Sequence, residues 1–272
     1  MKHTSKIVIL LTMAGLVIIP AFGKNGQITC AGSTTVLPVA QATAEAFMDI
    51  NPGINISVRG GGSGVGVAAL QNKTADIANS SRPMKAKEIT ASKSKGINPT
   101  AYPVANDGIS IVVHKNNPIK NLTIAQIKGI YTGKIKNWKE LGGASMPIVV
   151  ISRDVASGTF EVFNEKALAG AKVDGTAQLL ASNNAVVSAV ASTPGGIGYA
   201  GLGYVTESVR VVTVNNVMPS ESTVKGGSYP LSRKLYMYTN GKASGDVARF
   251  ISFIQSHAGQ EIVKEQGFIT LN

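Results

Sequence analysis

The sequence is poor in the groups that most enzymes and metal sites need. Among 272 residues there is one cysteine, Cys30, and there are three histidines. A single cysteine excludes an intrachain disulfide. His3 sits in an N-terminal leader described below, which leaves His114 and His257. Neither accompanies a G-x-S-x-G motif, because Ser63 has Gly61 before it but Val65 after it. A serine hydrolase would therefore lack its base. No H-x-x-x-H pair and no carboxylate pair at ligand spacing occurs, so no metal site and no cofactor is expected. Asp107, Asp154 and Glu161 stand apart from other acids and suit surface or ion-pair roles. A nucleotide-binding P-loop is missing too: Lys134 is followed by Ile135, and Gly129 and Gly133 are spaced too closely.

Acids are also scarce, with 15 Asp and Glu against 26 Lys and Arg, a formal charge of +11. The lysines are scattered and form no polybasic block of the kind that grips nucleic acid. No apolar run reaches the ~18 residues of a membrane-spanning helix. The longest, Ile7 to Ile19, follows Lys2 and Lys6 and ends in Pro20-Ala21-Phe22-Gly23. That is the pattern of a secretory signal peptide, residues 1–23, cleaved near Gly23. Its loss removes two lysines and no acid, lowering the charge from +11 to +9. An exported basic protein meets small anions rather than nucleic acid. Cys30 lies well beyond the apolar run and follows Gln27-Ile28-Thr29, so it does not fit a lipoprotein anchor and is read as the end of a buried strand.

From residue 24 the chain alternates short apolar runs with helical periodicity. Strands are expected at 27–31, 54–58, 76–79, 109–113, 148–151, 196–200 and 230–238. Helices are expected at 36–50, from about 64 to 72, and at 85–94, 124–131, 159–168, 184–192 and 244–266. The opening β-α-β-α-β-α order is that of a parallel sheet covered by helices. In such sheets ligands bind outside the carboxyl ends of the strands.

Four strand-to-helix loops carry small polar residues: GSTT with Ser33, Thr34 and Thr35; GGGSG with Ser63; SSR with Ser81 and Arg82; and RDVASGT with Arg153, Ser157, Gly158 and Thr159. Each taken alone is equally well read as a helix cap, since Ser and Thr are preferred there. Together they share one chemistry. Helix N-termini with unpaired N–H groups beside a planar guanidinium make an anion site that needs no metal.

The segments AGSTTV, GGGSG, DIANSSR, RDVASGTF, GGIGYAGLGYV, YPLSRKLYMY and FISFIQSHAGQEIVKEQGF occur in an order that resembles the phosphate-binding proteins of phosphate ABC transporters, over nearly all of residues 27–270. The resemblance implies an α/β, two-lobed periplasmic solute-binding fold of type II, each lobe a mixed sheet flanked by helices, with the ligand in the inter-lobe cleft. It implies one lobe from 24–105 plus 236–272 and another from 106–235. The implied function is capture of inorganic phosphate in the periplasm by a monomer and its delivery to permease subunits, without catalysis. It assigns phosphate contacts to Ser33, Thr34, Thr35 (through its backbone), Ser63, Ser81, Arg82, Arg153, Ser157, Gly158 and Thr159, with Asp154 steadying Arg153 and Arg82 supplying a second cation. Some relatives carry an aspartate where Ser81 stands, and that acid rejects sulfate. Another tetrahedral oxyanion (sulfate, molybdate or arsenate) therefore stays open as the ligand, and an exported phosphate-ester hydrolase is the reading from a different class.

Overall fold

The computed structural model describes residues 26–272; the leader and its cleavage point lie outside the described residues. The first half follows the expected alternation. Strand β1 (Gly26–Gly32), helix α1 (Leu37–Asp49), β2 (Ile54–Arg59), α2 (Ser63–Gln71), β3 (Ile77–Ser80) and α3 (Ala86–Ser94) succeed one another. β1 pairs in parallel with both β2 and β3. Parallel strands need a crossover, and α1 and α2 supply it.

The next strand departs from expectation. β4 runs from Pro99 to His114, far longer than the apolar stretch 109–113. Its first half pairs antiparallel with β10 (Ser232–Asn240), and its second half pairs with β8 (Gly196–Gly201) and β9 (Val209–Val214). Pro103 lies where the β10 register shifts between Leu235 and Tyr236. A bulge there tolerates a residue that cannot donate to the ladder. The prolines and the polar Asn106-Asp107 pair hide this half of the strand from periodicity.

Between β4 and β10 lie β5 (Asn121–Leu122), α4 (Ile124–Tyr131), β6 (Val149–Arg153), α5 (Gly158–Phe163), β7 (Gln178–Leu180), α6 (Asn183–Ser192), β8, β9 and α7 (Glu221–Lys225). β5, β7, β9 and α7 escape the sequence reading; three of them are five residues or shorter. The C-terminal helix expected over 244–266 is two helices, α8 (Gly245–Gln255) and α9 (His257–Glu265). Ser256 adopts an extended backbone between them, and its hydroxyl caps the Gly259 N–H at 3.3 Å. A Cβ on Gly259 would come within 2.2 Å of the Phe253 carbonyl, so the corner depends on glycine.

Strand order is β2-β1-β3-β10-β4-β8-β6-β7, with β4 common to both halves. One core gathers Ile28, Cys30, Phe47, Ile56, Leu235, Met237 and Phe250. Burial there pushes the Cys30 thiol up to about 12, which makes it inert. The other core gathers Ile109, Ile111, Tyr131, Trp138, Phe163, Tyr199 and Tyr229, with Phe163 stacked on Tyr199 at 4.0 Å between ring centres. Two cores on one folded sheet make two lobes joined through β4 and β10.

Candidate functional site

The four polar loops meet where the lobes face each other. Ser33, Thr34, Thr35, Ser63, Ser81, Arg82, Arg153, Ser157, Gly158 and Thr159 are all buried. Polar loop residues are rarely so thoroughly enclosed. They are enclosed because the lobes are shut over them. The Gly64 N–H of α2 donates to the Ala156 carbonyl across the cleft at 3.0 Å. Gly158 packs so tightly that a Cβ on it would lie 2.2 Å from Ser63 Oγ and 2.8 Å from Ser81 Oγ.

The opening stretch of α5 is both a cap and a donor array. Ser157 Oγ accepts the Phe160 N–H at 3.1 Å. That satisfies one of the first N–H groups of the helix and leaves those of Gly158 and Thr159 without an intrahelical acceptor. Immediately before, at the end of β6, Arg153 is 2% exposed. Its Nε donates to the Leu180 carbonyl and its Nη2 to the Ala181 carbonyl, each at 2.9 Å. Nη2 also reaches Thr34 Oγ1 at 3.3 Å. Nη1 has no partner among the described residues. Asp154, expected to steady Arg153, lies close enough to act on its charge but accepts the Ala156 N–H at 2.8 Å and forms no ion pair among the described residues, while two backbone carbonyls fix the guanidinium. Burial pulls the Arg153 pKa below its usual value, with partial recovery from Tyr199 and Asp154.

Arg82 was expected as a second cation at the anion. Its two Nη atoms bind the Glu88 carboxylate at 2.7 Å each, and its Nε contacts Glu161 of the opposite lobe. It is a cation matched by carboxylates, not a free one. Thr35 was expected to contribute through its backbone N–H. Ser33 Oγ accepts the Thr35 N–H at 3.1 Å, and the Thr35 hydroxyl joins the site instead.

Two residues at the site, Arg233 and Asn183, carried no signal in the sequence, and a third, Asp107, was expected only in a surface or ion-pair role. Arg233, on β10, forms a buried ion pair with Asp107 of β4 at 2.7 Å. It donates to Thr159 Oγ1 at 3.0 Å and to Thr35 Oγ1 at 3.3 Å. Burial raises the Asp107 pKa, opposed by Arg233, and burial lowers that of Arg233. Asn183 opens α6 and donates to Thr34 Oγ1 and Thr35 Oγ1 at 3.0 Å each. A resemblance in YPLSRKLYMY marks the strand but not the inward turn of Arg233. Asp107 and Asn183 sit in stretches whose local pattern is only strand and cap.

These donors set the direction of every hydroxyl they touch. Thr34 Oγ1 accepts from Arg153 and Asn183, which are donors only at those atoms, so its own proton points elsewhere. Thr35 Oγ1 accepts from Arg233 and Asn183, so its proton goes to Thr159 Oγ1 at 2.9 Å. Thr159 then accepts twice and has its own proton to give. The arrangement offers hydroxyl protons, helix amides and the two N–H groups of Arg153 Nη1. Among the described residues Arg153 touches no carboxylate, while Arg233 and Arg82 do. A buried cation without a counter-charge is costly, and an anion removes that cost.

Comparison with known proteins identifies the family. The model of the PBP superfamily domain matches residues 23–258. The phosphate-binding protein PstS of Bacillus subtilis is 35% identical over 90% of this chain and 81% of its own length. That of Pseudomonas aeruginosa is 34% identical over 92% and 85%. A phosphate-bound crystal structure of a putative phosphate ABC transporter substrate-binding protein from Clostridium perfringens superposes with a TM-score of 0.84 at 37% identity, covering 91% of this chain and all of that one. The chain belongs to the PstS phosphate-binding proteins of the PBP superfamily.

Proposed function

We propose that this protein captures inorganic phosphate between its lobes and delivers it to the permease subunits of a membrane ABC transporter. The observation that carries the reading is the buried, unpartnered Nη1 of Arg153, set beside the free-ended hydroxyls of Thr34 and Thr159. The lobe limits 24–105 plus 236–272 and 106–235 find support in the division of the core, since one cluster stops at Ala105 and resumes at Leu235, one residue before the limit, while the other runs from Ile109 to Leu231 and borrows Ile269 from the C-terminal segment. The protein acts by binding rather than catalysis, as its relatives are named as binding proteins. It works as an exported monomer, not a lipoprotein, in the periplasm. None of the described helices is long and apolar enough to cross a membrane. Phosphate held by both lobes favours the shut form only to the extent that it binds that form more tightly.

Isothermal titration with phosphate tests this directly, with arsenate, sulfate and molybdate as competitors. Absence of phosphate binding in the intact protein would sink the reading. The second reading, another tetrahedral oxyanion, is favoured by one observation. Asp107, the buried acid of the site, already accepts from Leu202 N–H and from Arg233, so it is not aimed as a repelling charge. Competition between phosphate and sulfate at several pH values separates the two.

A further inference from the structure

We propose that Arg82, Lys85 and Glu161 form an electrostatic latch between the lobes, which positions the α5 amides and sets how long the anion stays without touching it. The kinetic half of this rests on the phosphate-capture reading; the geometric half does not.

Glu161 lies in the first turn of α5, just after Gly158 and Thr159, whose amides face the site. Arg82 directly follows Ser81 on the opposite lobe. Their contact pairs the Arg82 guanidinium with both oxygens of Glu161, across 79 positions of sequence. Lys85 adds a third contact, Nζ to Glu161 at 2.8 Å. The pair therefore clamps the third polar loop of one lobe to the helix that opens at the anion site of the other.

The two sides are not equivalent. Glu88 binds both Nη atoms of Arg82 and also accepts the Lys85 N–H at 2.8 Å. This preassembles two cations and one carboxylate on the first lobe, by bonds that stay within that lobe. Opening the lobes leaves that cluster intact and strips only Glu161 from it. The first lobe then carries an uncompensated positive charge and Glu161 a bare negative one. The attraction is thus gained only on closure. Arg82 is 4% and Glu161 15% exposed on their side chains, so the attraction is screened less than at an open surface. A cavity of about 570 Å3 borders Arg82, Lys85 and Glu161.

Contacts that form after encounter act on dissociation more than on association. The test is Glu161→Gln, a residue outside the anion contacts, with half-buried Lys85→Met as a milder second variant. Release of radiolabelled phosphate into excess cold phosphate should be roughly ten- to a hundredfold faster in Glu161→Gln, with association within about twofold. Lys85→Met should move the same way by less. Raising salt should speed release from the wild type and leave Glu161→Gln unchanged. Small-angle scattering without any anion reads the latch independently of phosphate. At low salt the wild type should be more compact than Glu161→Gln, and the gap should close at high salt. Equal release rates, a loss confined to association, or identical scattering of the two proteins at low salt would each overturn the latch. Should the wild type bind no phosphate, the capture reading fails and scattering alone decides the latch.

Discussion

Thr35 and Thr159 meet hydroxyl to hydroxyl at 2.9 Å, although 124 positions separate them in the chain. One opens toward α1 in the first lobe and the other begins α5 in the second. Their contact exists only when the lobes are shut, and Arg233 donates to both. The anion site is therefore assembled by closure.

Arg153 should dominate ligand affinity. Arg153→Ala removes the unpartnered Nη1 and the tie to Thr34, and should weaken phosphate binding by roughly 2–5 kcal/mol. Titration calorimetry measures this. Arg153→Lys should recover little, because a point charge cannot hold Leu180, Ala181 and the ligand at once.

Gly158→Ala should block closure without unfolding either lobe. The added methyl would meet Ser63 Oγ and Ser81 Oγ at distances no Cβ tolerates. Phosphate affinity should fall by tenfold or more, about 1.4 kcal/mol per decade. Thermal unfolding of the ligand-free protein should change little.

Asp107→Asn tests the buried ion pair. It leaves the Arg233 charge uncompensated in the interior, and should cost about 3–5 kcal/mol of stability in a denaturant titration. Adding Arg233→Met should restore part of that loss, since the orphaned charge goes with it.

Glu88 predicts a pH dependence. Burial acts to raise its pKa, but hydrogen bonds from Arg82 and from the Lys85 N–H prevail and hold it below the ordinary carboxylate range. Its contribution to stability is then complete above the unfolded value of about 4.3, and fades as pH falls through the lower folded value. Melting curves from pH 6 down to pH 3 should show this loss, and Glu88→Gln should flatten that part of the profile.

Ser81→Ala should separate phosphate from sulfate. Ser63 Oγ accepts the Ser81 N–H at 3.0 Å and lies 3.3 Å from Ser81 Oγ, so this hydroxyl pair can turn either way. It can accept a hydrogen bond from the P–OH group that phosphate carries at neutral pH, whereas sulfate has no such donor. Losing an acceptor for a buried donor costs roughly 1–3 kcal/mol. Phosphate affinity should drop by about tenfold and sulfate affinity should hold, as read by competition titration.

Local chemistry made much of this protein legible before any coordinates. Apolar periodicity located α1, β2, α2 and α4, and small polar residues at strand ends marked the loops that became the site. Those signals are short-ranged: a cap and its N3 amide, or two residues on one helix face, lie within four positions. RDVASGT could be recognised as a helix start with a cation beside it for that reason. Tertiary structure decided which cation is free. In sequence Arg82 and Arg153 each follow a strand and open a polar loop, Arg233 lies within a strand, and nothing local says which of them meets a counter-charge. Folding sets Arg82 against Glu88 and Glu161, and Arg233 against Asp107, and gives Arg153 only neutral carbonyls and hydroxyls. Pairings across 79 and 126 positions leave no local trace, because charge compensation depends on distance in space and not on distance along the chain.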